Sequence, residues 1–424
     1  MQAVHAPYGR SMHLSRAVPP GSTTSFVRAH LPASVAEALG LAASLTGPGR
    51  RGGAVPAPGT GHTADLWRAL ATLAAHDLSA ARAVEPHLDA VAVLEQAREA
   101  GQVAPAAADV AGAAGAAGVA GSGGRASAAG PVWGVFAAEG PGVRLDATRA
   151  PSIAVDPADP ADPGAPAAGG AATAAPERWT LTGVKPWCSL AGQLDAALVT
   201  AWAGDERRLF AVDLHQPGVE VVPGAWHARG LVDIPSGPVR FDDVAASPVG
   251  EPGWYLRRPG FEWGGIGVAA CWYGGAVGVA RTLHAATVGR EPDPWRLRAL
   301  GVVDERLGDA RRALAEAADL VDAGEATGRE GRLLAKRVRG TVARAADDVL
   351  TAVGRALGPA PLALDAAHAA RVADLELYLR QHHAEKDEAS LGGAVRERAL
   401  DRVAESVQPA GDGVDAAGEG VDPW

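Results

Sequence analysis

Apolar positions along the chain change period twice. From Thr63 onward Leu66, Leu70 and Leu73 recur at helical spacing, with Thr63 or Asp65 placed to cap the first turn. A second helix is expected after Pro86, with Leu88, Val91 and Leu94 on one face, so that the two form a hairpin. From Pro131 the period shortens toward two, and residues 132–137, 179–184, 196–202, 209–214, 219–222 and 238–241 read as short strands separated by turns. Beyond Gly253 the helical period returns. Leu307, Ala310, Leu314, Ala318 and Val321 trace one apolar stripe, and Leu334, Val338, Val342, Ala345 and Val349 trace another, which predicts two long antiparallel helices. A further helix is predicted from about Leu364 to Ala384.

Helices, then strands, then helices argue against an alternating βαβ sheet and for a mainly α chain with a middle β domain. The pattern divides into a flexible N-terminal arm at 1–60, with a short helix at 33–44, and a helical domain with a low-complexity linker at 61–130. A β domain follows at 131–252, a helical bundle at 253–400 and a flexible tail at 401–424. The linker at 101–130 is nearly all Ala, Gly, Ser and Val, and its alanines favour helix while its glycines oppose it. The Asp, Pro, Ala and Gly run at 156–176 is placed as a surface loop inside the β domain.

Composition narrows the function classes. A chain of 424 residues with a formal net charge of −10 has no basic field for a phosphate backbone, so no nucleic-acid partner is expected. Cys188 and Cys271 are the two cysteines, and neither spacing nor a nearby His pair makes them metal ligands. The N-terminal residues lack a continuous apolar core of the secretory kind, and a cytoplasmic location is the default. The uncharged run from Trp263 to Ala280 approaches the length of a membrane span, but its glycines point to a buried core helix with close-packed small faces. Gly265, Gly267 and Ala270 satisfy a loose dinucleotide-binding pattern without the preceding strand that this pattern requires.

Several motifs, in this order, resemble the acyl-CoA dehydrogenase superfamily. The segment DLWRALATLAAHDLSAARAVEPHLDAVAVL is similar to its N-terminal helical hairpin. WTLTGVKPWCSLAGQLDAALVTAW resembles the strand-turn-strand in which a Gly-x-Lys-x-Trp motif covers the flavin ring. VRFDDVAASPVGEPGWY is similar to the strand leading into the bundle, GGAVGVARTLHAA to the first bundle helix, and LGPAPLALDAAHAARVADLELYLRQHH to a late segment at the active site. The resemblance spans roughly residues 61–395 and implies an N-terminal helical domain, a small β-barrel or sandwich and a C-terminal four-helix bundle.

It further implies an FAD-dependent oxidoreductase acting on the CH-CH group of an acyl thioester or related substrate, acyl-CoA or another activated acyl compound, as a homodimer or homotetramer, with an electron-acceptor flavoprotein as partner. Residue by residue, it puts Trp187, Cys188 and Ser189 against the isoalloxazine, with Ser189 at the N5 edge where the family usually has Thr. It puts Phe136, Ala137 and Ala138 at the ring as well, Ala138 replacing the family's hydroxyl residue. Arg290 matches the arginine that meets the FAD pyrophosphate, and Gly358 stands either at the nucleotide half or as a plain helix cap.

Removing the α proton of an acyl thioester needs a base, which the family supplies as a carboxylate. Eight residues beyond Asp374, where that carboxylate is expected, stand His382 and His383, and the alternative position falls near the apolar Val268. The histidines are either the base or helix-terminal residues favoured by the helix dipole. The missing glutamate keeps two other readings open: a flavin monooxygenase on the same scaffold, and a non-catalytic binding relative.

Overall fold

The computed structural model describes residues 19, 21–47, 57–102, 130–149, 178–288, 291 and 293–407. The chain divides into two units, Met1–His382 and His383–Trp424. The linker at 103–129, the loop at 156–176 and Arg290 lie outside the described residues.

The first unit opens with α1 (Thr23–Ala29) and α2 (Val35–Thr46), whose N-termini are capped by the hydroxyls of Ser22 and Ser34. These residues were expected in a loose arm; they are instead part of the core, with Thr24, Ala38 and Ala42 fully buried. α3 (Thr63–His76) follows, but neither Thr63 nor Asp65 caps it. Asp65 turns to the start of α1, accepting from Thr23 N at 2.7 Å and from Thr24 Oγ1 at 2.7 Å. The start of α3 is closed by Asp322, far along the chain, which accepts from Gly61 N at 3.0 Å, Thr63 N at 3.0 Å and Thr63 Oγ1 at 2.6 Å. A carboxylate at a helix N-terminus is favoured by both the orphan amides and the dipole.

α4 (Leu78–Glu99) begins eight residues before Pro86, not after it, because Asp77 caps it by accepting from Ala80 N. Pro86 sits in the interior, where it removes the amide that would bond the Arg82 carbonyl.

The seven strands are β1 (Trp133–Phe136), β2 (Leu145–Arg149), β3 (Trp179–Lys185), β4 (Ala196–Ala203), β5 (Glu206–Asp213), β6 (Val219–Val221) and β7 (Val239–Val249). Pairing runs β4-β2-β3-β7-β5 and back to β4, closing a five-stranded barrel, with β1 added along β4 and β6 along β7. β4 is buried on both faces: Ala197, Val199 and Ala201 join the main core, while Ala196 and Leu198 pack with Ala90, Val93 and Ala97 of α4.

β2 was not expected, since its burial alternates over only Leu145 and Ala147 between polar residues. β7 runs eight residues beyond the expected end at Phe241 because a bulge breaks its period: Phe241 pairs with Gly183 and Val244 with Leu181. Asp243 takes up the extra residue with φ of 51°.

After a single turn, α5 (Trp254–Arg257), come α6 (Gly260–Val288), α7 (Pro294–Asp322), α8 (Gly328–Leu357), α9 (Ala360–Leu364) and α10 (Ala366–Tyr378). The helix expected to reach Ala384 ends at Tyr378 and tightens into a 3₁₀ turn at Leu379–Gln381. α6 is long and apolar enough to cross a membrane, yet most of it is enclosed by α3, α7, α8 and α10. Its glycines allow this. A Cβ on Gly274 would clash with the Ala71 carbonyl and stand 2.7 Å from Ala74 Cβ, both on α3. In the second unit, α11 (Glu385–Val407) begins ahead of the expected tail and extends seven residues into it.

Gly274→Ala is expected to destabilise by about 1–3 kcal/mol through overpacking against backbone that has no rotamer to relieve it. Gly301→Ala, on an exposed face of α7 with open space around it, is expected to stabilise by up to about 1 kcal/mol. Urea midpoints of the two variants check the contrast.

Candidate functional site

Each residue of the Gly-x-Lys-x-Trp motif has a separate structural task. Gly183 has φ of 131°, and a Cβ there would run into the Arg144 carbonyl where β2 begins. Lys185 is buried, and its Nζ donates to Glu139 Oε1 at 2.7 Å and Thr200 Oγ1 at 2.9 Å, pinning β3 to the β1 end and to β4. Burial pushes the Lys185 amine down while Glu139 pushes it back up. Trp187 has φ of 60° and an indole 59% exposed at the end of the barrel. A bulky residue held in left-handed backbone is a strained feature of the kind that collects at functional sites.

The turn carrying Trp187 is fixed by backbone bonds from Cys188 N to Gly237 O and from Leu190 N to Pro235 O. The Cys188 thiol is enclosed, donates to the Lys185 carbonyl, and is pushed up to about 12 by burial, so it is an inert filler and not a nucleophile. Ser189 accepts from Arg82 Nη2 of α4 at 2.9 Å and shares a 2.7 Å hydroxyl–hydroxyl bond with Ser236, whose own hydroxyl lies 3.0 Å from the Ile234 carbonyl.

The loop carrying Ser236 is itself fixed to α10: Leu231 N donates to Asp374 Oδ1, and Gly230 lies against the Ala373 carbonyl so closely that a side chain would collide.

Helices supply the remaining groups. Trp272 on α6 and Tyr378 on α10 are fully buried and meet edge to face at 6.3 Å, and the His382 ring meets Trp272 edge to face at 6.2 Å. Arg339 on α8 lies 4.7 Å over the Trp272 ring and ties the 3₁₀ turn to α6 by donating to Gly265 O and Gln381 O. Trp272 Nε1–H is buried without an acceptor. Arg82 lies 5.7 Å over the Tyr378 ring.

Two buried titratable groups on α4 escaped the sequence reading. Glu85, between Arg82 and Asp89, is raised to about 7, chiefly by burial, with Arg82 and Arg339 pulling it down and Asp89 pushing it up. His87 is lowered to about 4 by burial. His87 Nδ1 accepts from Trp133 N, so the proton is on Nε2, which donates to Thr46 Oγ1 at 2.7 Å. His87 thereby joins α2, α4 and β1 as a neutral structural bridge. Asp77 and its helix cap were the available signal, since a helix starting there puts Arg82, Glu85 and Asp89 on successive turns.

The other expected site residues separate. Phe136 is enclosed in the apolar core rather than lying open at the end of the barrel. The Ala137 carbonyl accepts from Arg207 Nη2 at 2.6 Å, and Ala138 is exposed. Gly358 ends α8 with φ of 68° and its amide on the Gly354 carbonyl, the arrangement of a helix cap. His383 belongs to the second unit, exposed, with its Nδ1 3.3 Å from Asp387 Oδ1.

No family model matches the chain. No curated protein matches it by sequence. Solved structures match over most of its length. KijD3 in complex with FMN and dTDP-3-amino-2,3,6-trideoxy-4-keto-3-methyl-D-glucose aligns with a TM-score of 0.67 at 18% identity, over 94% of this chain and 97% of that one. The dibenzothiophene monooxygenase TdsC from Paenibacillus sp. A11-2 aligns with a TM-score of 0.61 at 15% identity, over 87% and 94%. A glutaryl-CoA dehydrogenase from Mycobacterium smegmatis in complex with FADH2 aligns with a TM-score of 0.60 at 17% identity, over 84% and 88%. The chain has the acyl-CoA dehydrogenase-like fold.

The two buried groups on α4 set opposite pH dependences. Between 4.5 and about 7 the folded protein holds a Glu85 proton that the unfolded chain has released. That contribution, about 3 kcal/mol in all, is complete below 4.5 and lost as pH rises through 7. His87 contributes stability that is present above 6.5 and lost as pH falls toward 4. Glu85→Gln is therefore expected to gain stability relative to the parent by up to about 3 kcal/mol between pH 5 and pH 8. Urea midpoints across that range read the difference, and a constant offset would show that Glu85 ionises at its ordinary value.

Proposed function

We propose that the protein is a flavin-dependent oxidoreductase that uses dioxygen, a monooxygenase on the acyl-CoA dehydrogenase-like fold. The observation that carries this reading is the composition of the helical wall. At the position where a dehydrogenase needs a carboxylate for the α proton, this chain has His382 against Trp272, and the alternative position is the half-buried Val268. An imidazole gives and takes protons near neutral pH, which suits a reaction that needs a proton delivered to or removed from a bound substrate. The likeness to KijD3 with its FMN and to a dibenzothiophene monooxygenase supports the same reading.

The Trp187–Ser189 turn, a shelf at the end of the barrel, fits a flavin ring by its own features. Trp187 offers an exposed indole face and Ser189 a hydroxyl backed by a guanidinium. These residues address the isoalloxazine, which FMN and FAD share. A bound reduced flavin supplies two electrons that, with dioxygen, place one oxygen atom on the substrate and release the other as water. The protein's own part is to seat the ring on the Trp187–Ser189 turn, keep the Cys188 thiol neutral beneath it, and hold His382 by the contacts of Trp272 and the 3₁₀ turn.

Full-length protein loaded with FMN or FAD, reduced anaerobically and mixed with oxygen, is expected to regain its visible flavin bands with oxygen uptake. Oxidised protein mixed with a panel of acyl-CoA thioesters is expected to keep its bands. Bleaching by a thioester would overturn the oxygen reading in favour of CH-CH dehydrogenation, and failure to bind either flavin would overturn both. Once a substrate is in hand, His382→Asn is expected to lower its oxygenation about 10²- to 10⁴-fold while flavin binding is retained.

A further inference from the structure

The helix α4 brings a guanidinium and a carboxyl group to the shelf. Arg82 donates to Ser189 Oγ at 2.9 Å, and its Nη1 stands 3.8 Å from Glu85 Oε2, both side chains being about nine-tenths buried. We infer that Arg82 is a positioning residue that makes this shelf selective for reduced flavin, and that Glu85 sets how much of its positive charge reaches the ring. This inference rests on the flavin reading above.

Arg82 holds the serine hydroxyl, and its charge is the next group beyond that hydroxyl. A low-dielectric setting strengthens the attraction between a cation and a ring that gains negative charge on reduction. Glu85 adjusts that charge. On α4 itself it faces Arg82 and Asp89, the latter paired with Arg258 at 3.4 Å. From other elements it is influenced by Arg339 of α8, Cys271 of α6, Tyr378 of α10 and Tyr255 of α5. Burial pushes both tyrosines and the thiol up, so they stay neutral through the physiological range. Burial raises Asp89 as well, against the pull of Arg258, and Glu85 is raised to about 7. Below that pH the Arg82 charge is uncompensated; above it the carboxylate offsets it.

The test measures binding of oxidised and dithionite-reduced FMN and FAD to the full chain, anaerobically, at pH 6 and pH 8. Wild type is expected to bind reduced flavin more tightly than oxidised, with a ratio that falls from pH 6 to pH 8 after correction for free flavin. In Arg82→Met the ratio is expected to drop about tenfold, equivalent to about 30 mV in the two-electron potential. Arg82→Lys, which keeps the charge, is expected to recover most of it. Glu85→Gln is expected to keep a high ratio at both pH values, and this comparison stands if Arg82→Met does not fold. An unchanged ratio in folded, flavin-binding Arg82→Met, or a wild-type pH response in Glu85→Gln, would overturn the inference. Failure of the wild type to bind flavin in either state would instead overturn the function on which it rests.

Discussion

The close approach of α6 to its neighbours is the constraint on which the rest of the first unit depends. A 29-residue helix with almost no polar surface has to be covered on nearly every side, and in this chain it is covered by protein. Large side chains would hold the neighbouring axes apart. Gly274 lets α3 in to backbone contact, and a Cβ on Gly275 would crowd Leu375 at 3.1 Å and Leu78 at 3.3 Å, so α4 and α10 converge on the same stretch. That stretch also carries Cys271 and Trp272. The meeting of the N-terminal helices and the long C-terminal helices at one place follows from where the glycines are.

A second constraint works from the barrel side. The shelf is held by strained or crowded backbone: Gly183 against β2, the bulge at Asp243 opposite it, and left-handed Trp187 and Leu190. Each costs of order 1–3 kcal/mol where a side chain is carried in such a conformation, and each is held in place by packing and hydrogen bonds around it. Lys185 with Glu139 and Thr200, and the Ser189–Ser236 pair, are those supports. The lysine of the motif thus belongs to the scaffold, and its serine end to the surface proposed for the flavin.

The fold was legible in the sequence wherever one period ran unbroken for several turns, as in α3, α7 and α8, or where a strand lay bare of polar residues, as in β4. It was not legible where local chemistry interrupts the period for a tertiary reason. Two aspartates stop the apolar pattern of β7, yet one of them serves the bulge. Pro86 reads as a helix start, yet Asp77 supplies an earlier one. Thr63 and Asp65 carry the right residue types for capping but are used across elements, because Asp322 and the start of α1 compete for them. The motif at 183–189 located the shelf, since its spacing comes from backbone geometry. The buried charges of α4 were hidden, because Arg82, Glu85 and Asp89 on successive turns look the same in sequence whether water or protein covers them.

That ambiguity is resolved by what stands on the other side of the helix. A solvated Arg-Glu pair at this spacing contributes little, and its carboxylate is held down, as Glu95 is beside Arg98. Here α6, α8 and α10 close over the pair, and the carboxyl group is left with two cations that attract its ionised form and a desolvation penalty that exceeds their pull. The outcome is a group balanced near neutrality, with His87 two residues along the same helix kept neutral by the same burial and by two hydrogen bonds of fixed direction. An apolar residue of similar volume could replace Glu85 at no cost in charge, but in place of His87 it would leave the Trp133 amide unpaired. The two buried groups of one helix therefore stand on different grounds, the imidazole on the hydrogen bonds it makes and the acid on the Arg82 guanidinium beside it.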